Sequence, residues 1–422
     1  MVQGIRLVNF ANHKNTRLTF RRLTALVGQN GAGKTNVMRA IQELSKVVRN
    51  EVADANVDEQ HARFSSGLGR RGTDYIEVVA AGDGTRDGRN GSWGVALNAK
   101  TDRTTSALQP WKRVWLWHAE MTGGSDTWWV PDSVTDLPFE ERNWFEAMRS
   151  ALSEPDDAGL PPRQENRPVC FRTAAISGDA TLALAGSQYF KASGEVLAKP
   201  SYPVELPPRL DSKGDNLAST LATMMTSRPE QFRRVVEALK SVVPTVRGIR
   251  ADRAPVVRTS RKTVSVNRKE VAYDEEQIVH GDQLIFDMAS GEGISAQDVS
   301  EGTLLTLSLL TLLHGEPAPR VLLLDDVERG LHPRAQRDLI EQLRKVLELR
   351  PELQIILSSH SPYVIDQLKP EEVWLLAPDT EGCAVSRRLA DHPNAVRALE
   401  VLTTGEFWSA EGEDWVLNEA AK

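Results

Sequence analysis

The feature that most constrains the fold is a glycine-rich stretch between a short apolar run, Leu23–Val27, and a helical pattern from Lys34 to about Val48. The apolar run is typical of a buried strand, and the pattern from Lys34 is typical of an amphipathic helix. Between them, the pattern G-x-x-x-x-G-K-[ST] is matched without exception by Gly28, Gln29, Asn30, Gly31, Ala32, Gly33, Lys34 and Thr35. In such a loop, backbone N–H groups surround phosphates at a helix N-terminus. We therefore predict a nucleotide site in which Lys34 reaches the β- and γ-phosphates and the Thr35 hydroxyl ligates Mg²⁺.

Two carboxylates follow a second apolar run, Val321–Leu324. At the end of a buried strand, Asp325 is placed to hold Mg²⁺, and Asp326 is placed to orient or deprotonate the attacking water. The alternative is that the two acidic residues only cap a strand at a turn. The phosphate loop earlier in the chain favours the functional interpretation.

Two further polar positions lie at the ends of predicted elements. His360 follows the predicted strand Gln354–Ser358 and can contact the γ-phosphate there, although a single histidine is more often structural. The tetrapeptide Ser300–Thr303 opens a helix rich in leucine and threonine, with Ser300 expected as its N-cap. A serine hydroxyl and the Gly302 N–H at a helix start can also form an anion site.

Taken together, these motifs resemble those of ABC-type ATPases of the SMC/RecF/OLD-like branch. More narrowly, they resemble the prokaryotic AAA family ATPases with an ABC-like head found in antiphage-defence operons. By this resemblance, the motifs in order are Walker A (Gly28–Thr35), the signature motif (Ser300, Glu301 and Gly302), Walker B (Val321–Asp326), the D-loop stretch (Gly330–Pro333) and the switch histidine (His360). The order of five motifs carries the resemblance, since only Walker A is specific alone.

The resemblance implies an α/β fold: a P-loop NTPase with an ABC-like head, in which a mixed sheet is accompanied by an antiparallel β lobe. We expect a central, mostly helical insertion to interrupt this head. The predicted domains are the N-terminal part of the head at residues 1–95, the insertion at 96–244, the C-terminal part of the head at 245–390 and a tail at 391–422.

The resemblance also implies a mechanism. Two heads would form a head-to-tail homodimer around two ATP molecules, and Ser300 and Gly302 of one chain would contact the γ-phosphate held by Lys34 of the other. The family usually carries Glu where this chain has Asp326, so we expect slow turnover, with Glu328 as the second candidate base. The sequence does not place the Q-loop glutamine.

Two functions remain open. The first is a switch ATPase that controls a separately encoded effector, with a nuclease favoured, in prokaryotic antiphage defence. The second is a self-contained, RecF-like DNA repair or maintenance ATPase, and a transporter ATPase is a distant third. The 46 residues after Leu376 are too few for the Toprim nuclease domain of OLD proteins, so we expect that domain to be lacking.

Composition indicates a cytoplasmic protein. The chain has 422 residues, two cysteines and a formal net charge of −7, from 51 Lys and Arg against 58 Asp and Glu. Few cysteines fit a reducing compartment, and no apolar run is long enough for a signal peptide or a membrane span.

Two surface candidates complete the sequence-based hypotheses. DNA is a candidate partner for the arginine- and lysine-rich stretch 247–269, although a charge run is more often a solvated face. Seven tryptophans lie between Trp93 and Trp144, where packing is favoured over base stacking. Asn12, His13 and Lys14 are expected near the adenine, on family position alone.

Overall fold

The computed structural model describes residues 1–53, 75–86, 89–101, 108–120, 169–170, 183–203, 208–266, 269–316 and 318–418. The chain divides into two compact units. Unit 1 contains Met1–Tyr189, Arg320–Asp325 and Pro351–Lys422, and unit 2 contains Phe190–Pro319 and Asp326–Arg350.

The described residues form strands and helices with the following bounds. The strands are β1 (Val2–Phe10), β2 (His13–Thr19), β3 (Leu23–Val27), β4 (Tyr75–Arg86), β5 (Arg89–Thr101), β6 (Leu108–Glu120), β7 (Val169–Cys170), β8 (Ser187–Phe190), β9 (Val246–Val266), β10 (Lys269–Met288), β11 (Gly291–Ser295), β12 (Val321–Leu324), β13 (Gln354–Ser359), β14 (Val373–Pro378) and β15 (Ala384–Arg388). The helices are α1 (Lys34–Ala53), α2 (Gly194–Leu197), α3 (Leu217–Ser227), α4 (Pro229–Val242), α5 (Glu301–His314), α6 (Pro333–Leu349), α7 (Pro362–Ile365), α8 (Ala395–Ala398), α9 (Thr404–Glu411) and α10 (Asp414–Asn418). Three short 3₁₀ helices lie at Ala296–Asp298, Pro370–Glu372 and Leu389–Asp391.

Unit 1 contains a mixed sheet with the strand order β15-β14-β3-β13-β12-β8. Strand β13 lies parallel to both β3 and β12, and β14 is also parallel to β3, while β15 is antiparallel to β14. Strands β3, β12 and β13 are buried along their whole length, which explains their continuous apolar runs. This sheet brings the carboxyl ends of β3, β13 and β12 to one edge.

The second sheet of unit 1 has the order β2-β1-β4-β5-β6-β7 and is antiparallel except for the pair β6–β7. The apolar side of α1 is buried in the same unit, at Val37, Ile41 and Leu44, in one core cluster with Ile5 and Leu7 of β1. The mixed sheet and the antiparallel lobe of the predicted α/β fold are therefore both present.

Unit 2 contains a three-stranded sheet with the order β11-β10-β9 and the helices α2 to α6. Helix α4 buries Val235, Val236 and Leu239, the apolar face that its sequence predicts. Pro229 occupies its first turn, where the missing N–H costs nothing.

Most predicted elements agree with the structure, and the differences have simple causes. The stretch Asp83–Gly91 is rich in glycine and aspartate, a composition that favours a loop. In the structure, β4 and β5 instead pair through this stretch as far as Arg86 and Arg89. Within the predicted insertion, residues 96–101 and 108–120 are strands, and residues 121–168 lie outside the described part of the chain.

None of the helices that the structure describes is long and apolar enough to cross a membrane.

Candidate functional site

The polar motifs of unit 1 meet at one edge of the mixed sheet. The phosphate loop follows β3, Asp325 follows β12 and His360 follows β13. Because β13 lies between β3 and β12 and is parallel to both, the three loops start side by side. This is the edge at which open α/β sheets bind ligands.

The phosphate loop leads directly into α1, which begins at Lys34. The Lys34 ammonium is buried and donates hydrogen bonds to the carbonyl oxygens of Gly28 at 2.5 Å and Gln29 at 2.9 Å. It therefore lies across the loop and carries a positive charge at the N-terminus of a helix, where an anion is favoured.

The Asp325 carboxylate is the centre of a hydroxyl cluster. It accepts hydrogen bonds from Thr35 Oγ1 at 3.2 Å, from Ser358 Oγ at 2.7 Å and from Tyr189 Oη at 2.9 Å. Thr35 and Asp325 are thus adjacent, as the predicted metal site requires. Hydroxyl and carboxylate oxygens are the hard ligands that Mg²⁺ prefers, so this donor set fits the ion.

The two candidates for the catalytic base lie in different surroundings within unit 2. Asp326 is partly exposed, and Lys191 forms an ion pair with it at 3.7 Å. Its backbone has φ of +55°, a conformation that Asp adopts more readily than most residues other than glycine. Glu328 is buried, with an exposed fraction of 6 %. The geometry keeps both as candidates.

His360 is exposed at the end of β13. The next residue, Ser361, begins a short turn in which its N–H donates to Ser359 Oγ at 3.0 Å. The structure thus places the histidine at the edge that its motif predicts, and its role at the γ-phosphate remains a prediction.

The signature residues lie at the start of α5 in unit 2. Ser300 is the N-cap, and its exposed hydroxyl accepts from Thr303 N–H at 3.3 Å. Glu301 accepts from Gly194 N–H at 3.1 Å and pairs with Arg329 at 3.3 Å. A Cβ on Gly302 would lie 2.3 Å from the Gly330 carbonyl oxygen, so only glycine fits there. The signature helix and the D-loop stretch are therefore packed backbone to backbone.

Sequence reasoning missed several residues around these motifs. Tyr189 lies on β8, inside the predicted insertion, and no motif marks it. Lys191 follows the same strand, and Ser358 was noted only as a neighbour of His360. Asn12 and His13, for which a position near the adenine remains a prediction, contact the phosphate loop at Gly31 and Gly33.

The basic stretch 247–269 pairs with a strand that carries carboxylates. Most of it lies on β9, which pairs along its length with β10 in a long hairpin. Arg250 pairs with Asp287 at 3.2 Å and Arg253 with Asp282 at 3.1 Å. Positive charge on β9 is thus partly neutralised by carboxylates of β10, which weakens its attraction for a nucleic-acid backbone.

The tryptophan-rich segment is only partly described. Trp93 lies on β5, and Trp111, Trp115 and Trp117 lie on β6. Trp128, Trp129 and Trp144 lie outside the described residues.

In the tail, Glu406 forms a capping box with Thr403, a structural role for one acidic residue of this region.

Comparison with known families identifies part of the chain. Residues 199–366 match the family described as "AAA domain, putative AbiEii toxin, Type IV TA system". This stretch includes Ser300, Asp325 and His360 and begins after the phosphate loop. Over this stretch the chain is similar to AAA domains.

Two named proteins match shorter segments. The chain is 25% identical over 142 residues to "Retron Ec83 probable ATPase" of Escherichia coli, which covers 34% of this chain and 23% of that protein. It is 44% identical over 45 residues to "ATP/GTP phosphatase" of Helicobacter pylori, which covers 10% of this chain and 12% of that protein. The matches thus span less than a quarter of these relatives' own length.

Solved heads of SMC proteins are weakly similar. The structure titled "Crystal structure of the SmcHead bound to the C-winged helix domain of ScpA" aligns with a TM-score of 0.46 and 13% identity over 95% of this chain and 99% of that chain. The "SMC head domain from Thermotoga maritima" aligns with a TM-score of 0.41 and 11% identity over 92% of this chain and 98% of that chain.

Proposed function

We propose that this protein is an ABC/SMC-like switch ATPase that binds and hydrolyses ATP with Mg²⁺. The observation that carries the proposal is the Asp325 carboxylate 3.2 Å from the Thr35 hydroxyl, beside a phosphate loop with a buried Lys34. These residues are far apart in sequence and are brought together by the parallel strands β3, β13 and β12, which supports a site built for a triphosphate and its metal ion.

The proposed roles follow from position and chemistry. Thr35 and Asp325 would hold Mg²⁺, which when bound neutralises phosphate charge and polarises the phosphoryl oxygens. Lys34 would bind the β- and γ-phosphates, together with the N–H groups of the loop from Gly28 to Thr35. Asp326 would orient or deprotonate water, with Glu328 as the alternative, and His360 would contact the γ-phosphate.

We further propose that ATP closes a head-to-tail homodimer. An exposed Ser300 at the N-terminus of α5 supports this, because a hydroxyl and a helix start are suited to an anion carried by a second chain. ATP would contact the surfaces of both chains in the closed dimer and the surface of one chain in the monomer. It would therefore shift the monomer–dimer equilibrium toward the dimer.

The proposed biological role is control of a separately encoded effector, with a nuclease favoured, in prokaryotic antiphage defence. The match to a retron ATPase supports this role. The alternative is a self-contained, RecF-like DNA repair or maintenance ATPase, and DNA is a further candidate partner. The basic sequence of β9 supports this alternative, but the ion pairs of β9 with β10 weaken that support.

The first experiment measures ATP binding and phosphate release for the wild type and Lys34→Ala, with Lys46→Ala on the same helix as a control. Removing the loop lysine should weaken ATP binding about 100-fold or more, since a charge-assisted contact to phosphate is lost. Lys46 is exposed on α1 and forms an ion pair with Glu43 at 2.7 Å, so its variant should bind ATP normally. Equal affinity of wild type and Lys34→Ala would contradict the proposed site.

A second experiment tests the partner. The tagged chain would be recovered from its native host with Mg²⁺ and ATP, in parallel with Lys34→Ala, and co-purifying proteins identified by mass spectrometry. A stoichiometric protein found only with the wild type supports the switch. A chain recovered alone, whose ATP hydrolysis DNA accelerates, supports the RecF-like alternative.

A further inference from the structure

The turn between β1 and β2 lies against the phosphate loop within unit 1. Ala11 in this turn has φ of +50°, and the Asn12 carbonyl accepts from Ala384 N–H of β15 at 2.9 Å. The turn is thus tied to a strand of the mixed sheet. Its two polar residues, Asn12 and His13, direct their side chains at the loop.

Asn12 holds the middle of the loop. Its amide nitrogen donates to the Gly31 carbonyl at 3.1 Å, and its amide oxygen accepts from Asn36 Nδ2 at 2.9 Å. Because the Gly31 carbonyl can only accept, the amide nitrogen of Asn12 faces it, and the amide oxygen is left to accept from Asn36. Asn12 therefore joins the loop to the first turn of α1.

His13 holds the end of the loop. It is fully buried, with Nε2 3.1 Å from the Gly33 carbonyl and Nδ1 2.9 Å from Thr16 Oγ1. A carbonyl can only accept, so Nε2 carries the proton and donates it to Gly33. Burial lowers the pKa of His13 to about 4, so the ring is neutral at neutral pH and keeps this single tautomer.

The contacts are also tight. A Cβ on Gly33 would lie 2.7 Å from His13 Nε2 and 2.9 Å from Asn12 Oδ1, and Gly33 has φ of +102°. Only glycine can therefore occupy that position beneath the turn.

We propose that Asn12 and His13 are positioning residues that preorganise the phosphate loop for the triphosphate. By holding the carbonyls of Gly31 and Gly33 on the turn side, they leave the N–H groups of the loop to the ligand. The entropic cost of ordering the loop is then met during folding instead of during binding. The proposal rests on the proposed ATPase function and adds two residues outside the phosphate-loop motif to its machinery.

The test compares Asn12→Leu, His13→Phe and His13→Gln with the wild type. The first two remove a donor at similar volume, whereas the amide nitrogen of His13→Gln can replace Nε2. We expect the KM for ATP to rise about 10-fold in Asn12→Leu and His13→Phe with kcat within about twofold, because ordering affects binding and not the bound chemistry. His13→Gln should stay within about threefold of the wild-type KM.

A second readout needs no nucleotide. Amide hydrogen exchange of the segment 28–36 in the nucleotide-free protein should be about 10-fold faster in Asn12→Leu and His13→Phe and nearly unchanged in His13→Gln. His392→Gln is the matched control, since His392 is also buried in unit 1 but contacts Phe407 and Trp415. It should change thermal stability without changing loop exchange or KM.

The outcomes separate the two proposals. Wild-type loop exchange in folded Asn12→Leu and His13→Phe would overturn the positioning role, whatever the protein binds. If these variants show faster loop exchange but the wild type binds no ATP, the positioning role would be supported and the proposed ATPase function overturned. If a variant does not fold, Asn12→Asp, which keeps the shape and loses the donor to Gly31, takes its place.

Discussion

The phosphate loop and the signature segment are both glycine-containing helix starts, and they differ in what surrounds them. Around the phosphate loop, Asn12, His13 and Lys34 bind loop carbonyls. At the signature segment, Ser300 caps its own helix and is exposed. The first lies within one unit, and the second presents a helix start at the surface. This difference fits the proposal that the phosphate loop binds a ligand within its own chain and that the signature segment acts on a ligand carried by a partner chain.

The largest effect should come from replacing the proposed catalytic base, a group that the phosphate-loop site needs and the signature segment does not. Asp326→Asn should lower kcat about 100-fold or more, whereas Glu328→Gln should lower it less than about 10-fold, as expected for loss of general-base assistance at one residue. Phosphate release measures both. The Asp326→Asn protein should also accumulate as an ATP-bound dimer in light scattering.

A larger kcat loss in Glu328→Gln than in Asp326→Asn would transfer the base assignment to Glu328. A monomer in Asp326→Asn with saturating ATP would contradict the homodimer.

The next effect tests whether the signature segment acts on a partner's ligand. Ser300→Arg should lower ATP hydrolysis about 30-fold, as expected for the loss of one hydrogen-bond donor to the transition state. ATP binding to the monomer should be unchanged. Ser241→Arg, at an exposed position of α4 in the same unit, is the control.

Mixing provides the sharper form of this test. A mixture of Ser300→Arg and Lys34→Ala chains should recover part of the wild-type rate, because one site of a mixed dimer keeps both Lys34 and Ser300. Rates that only average the two variants would show that the signature does not act across the dimer.

A smaller effect concerns the hydroxyl cluster on Asp325. Ser358→Ala removes the 2.7 Å hydrogen bond to the carboxylate and should raise the Mg²⁺ concentration for half-maximal activity about 10-fold, as loss of a residue supporting a metal ligand does. A Mg²⁺ titration of ATP hydrolysis measures the shift. Ser308→Ala on α5 removes a hydroxyl that donates to the Leu305 carbonyl of the same helix at 2.8 Å, and it should leave the titration unchanged.

The smallest effect is the acid sensitivity of the loop. Burial lowers the pKa of His13 to about 4, below its ordinary value of 6.5, so the unfolded chain binds a proton that the folded chain excludes. Stability from this residue is therefore complete above pH 6.5 and is lost as pH falls toward 4, by about 2 kcal/mol between pH 7.5 and 5. The urea midpoint should fall more steeply over this range in the wild type than in His13→Gln. An equal fall in both would show that His13 is not the titrating group.

Local pattern predicted much of the fold. The helices Pro229–Val242 and Pro333–Leu349 begin and end as their apolar spacing and leading prolines indicate. Buried strands such as Val321–Leu324 are visible as short apolar runs. The hairpin of β4 and β5 was missed because glycine and aspartate in Asp83–Gly91 favour a turn locally, while cross-strand pairing decided otherwise.

By itself, the sequence determined the phosphate-loop motif and the N-cap at Ser300, because each depends on residues within a few positions of one another, and it determined the order in which such local motifs follow along the chain. Only the tertiary structure decided that Thr35 meets Asp325 across 290 positions, that Tyr189 bonds the same carboxylate across 136, and that the turn at Asn12 and His13 clamps the loop. Such contacts depend on strand order and packing, and a local pattern does not encode which distant hydroxyl or amide will satisfy a buried carboxylate or carbonyl.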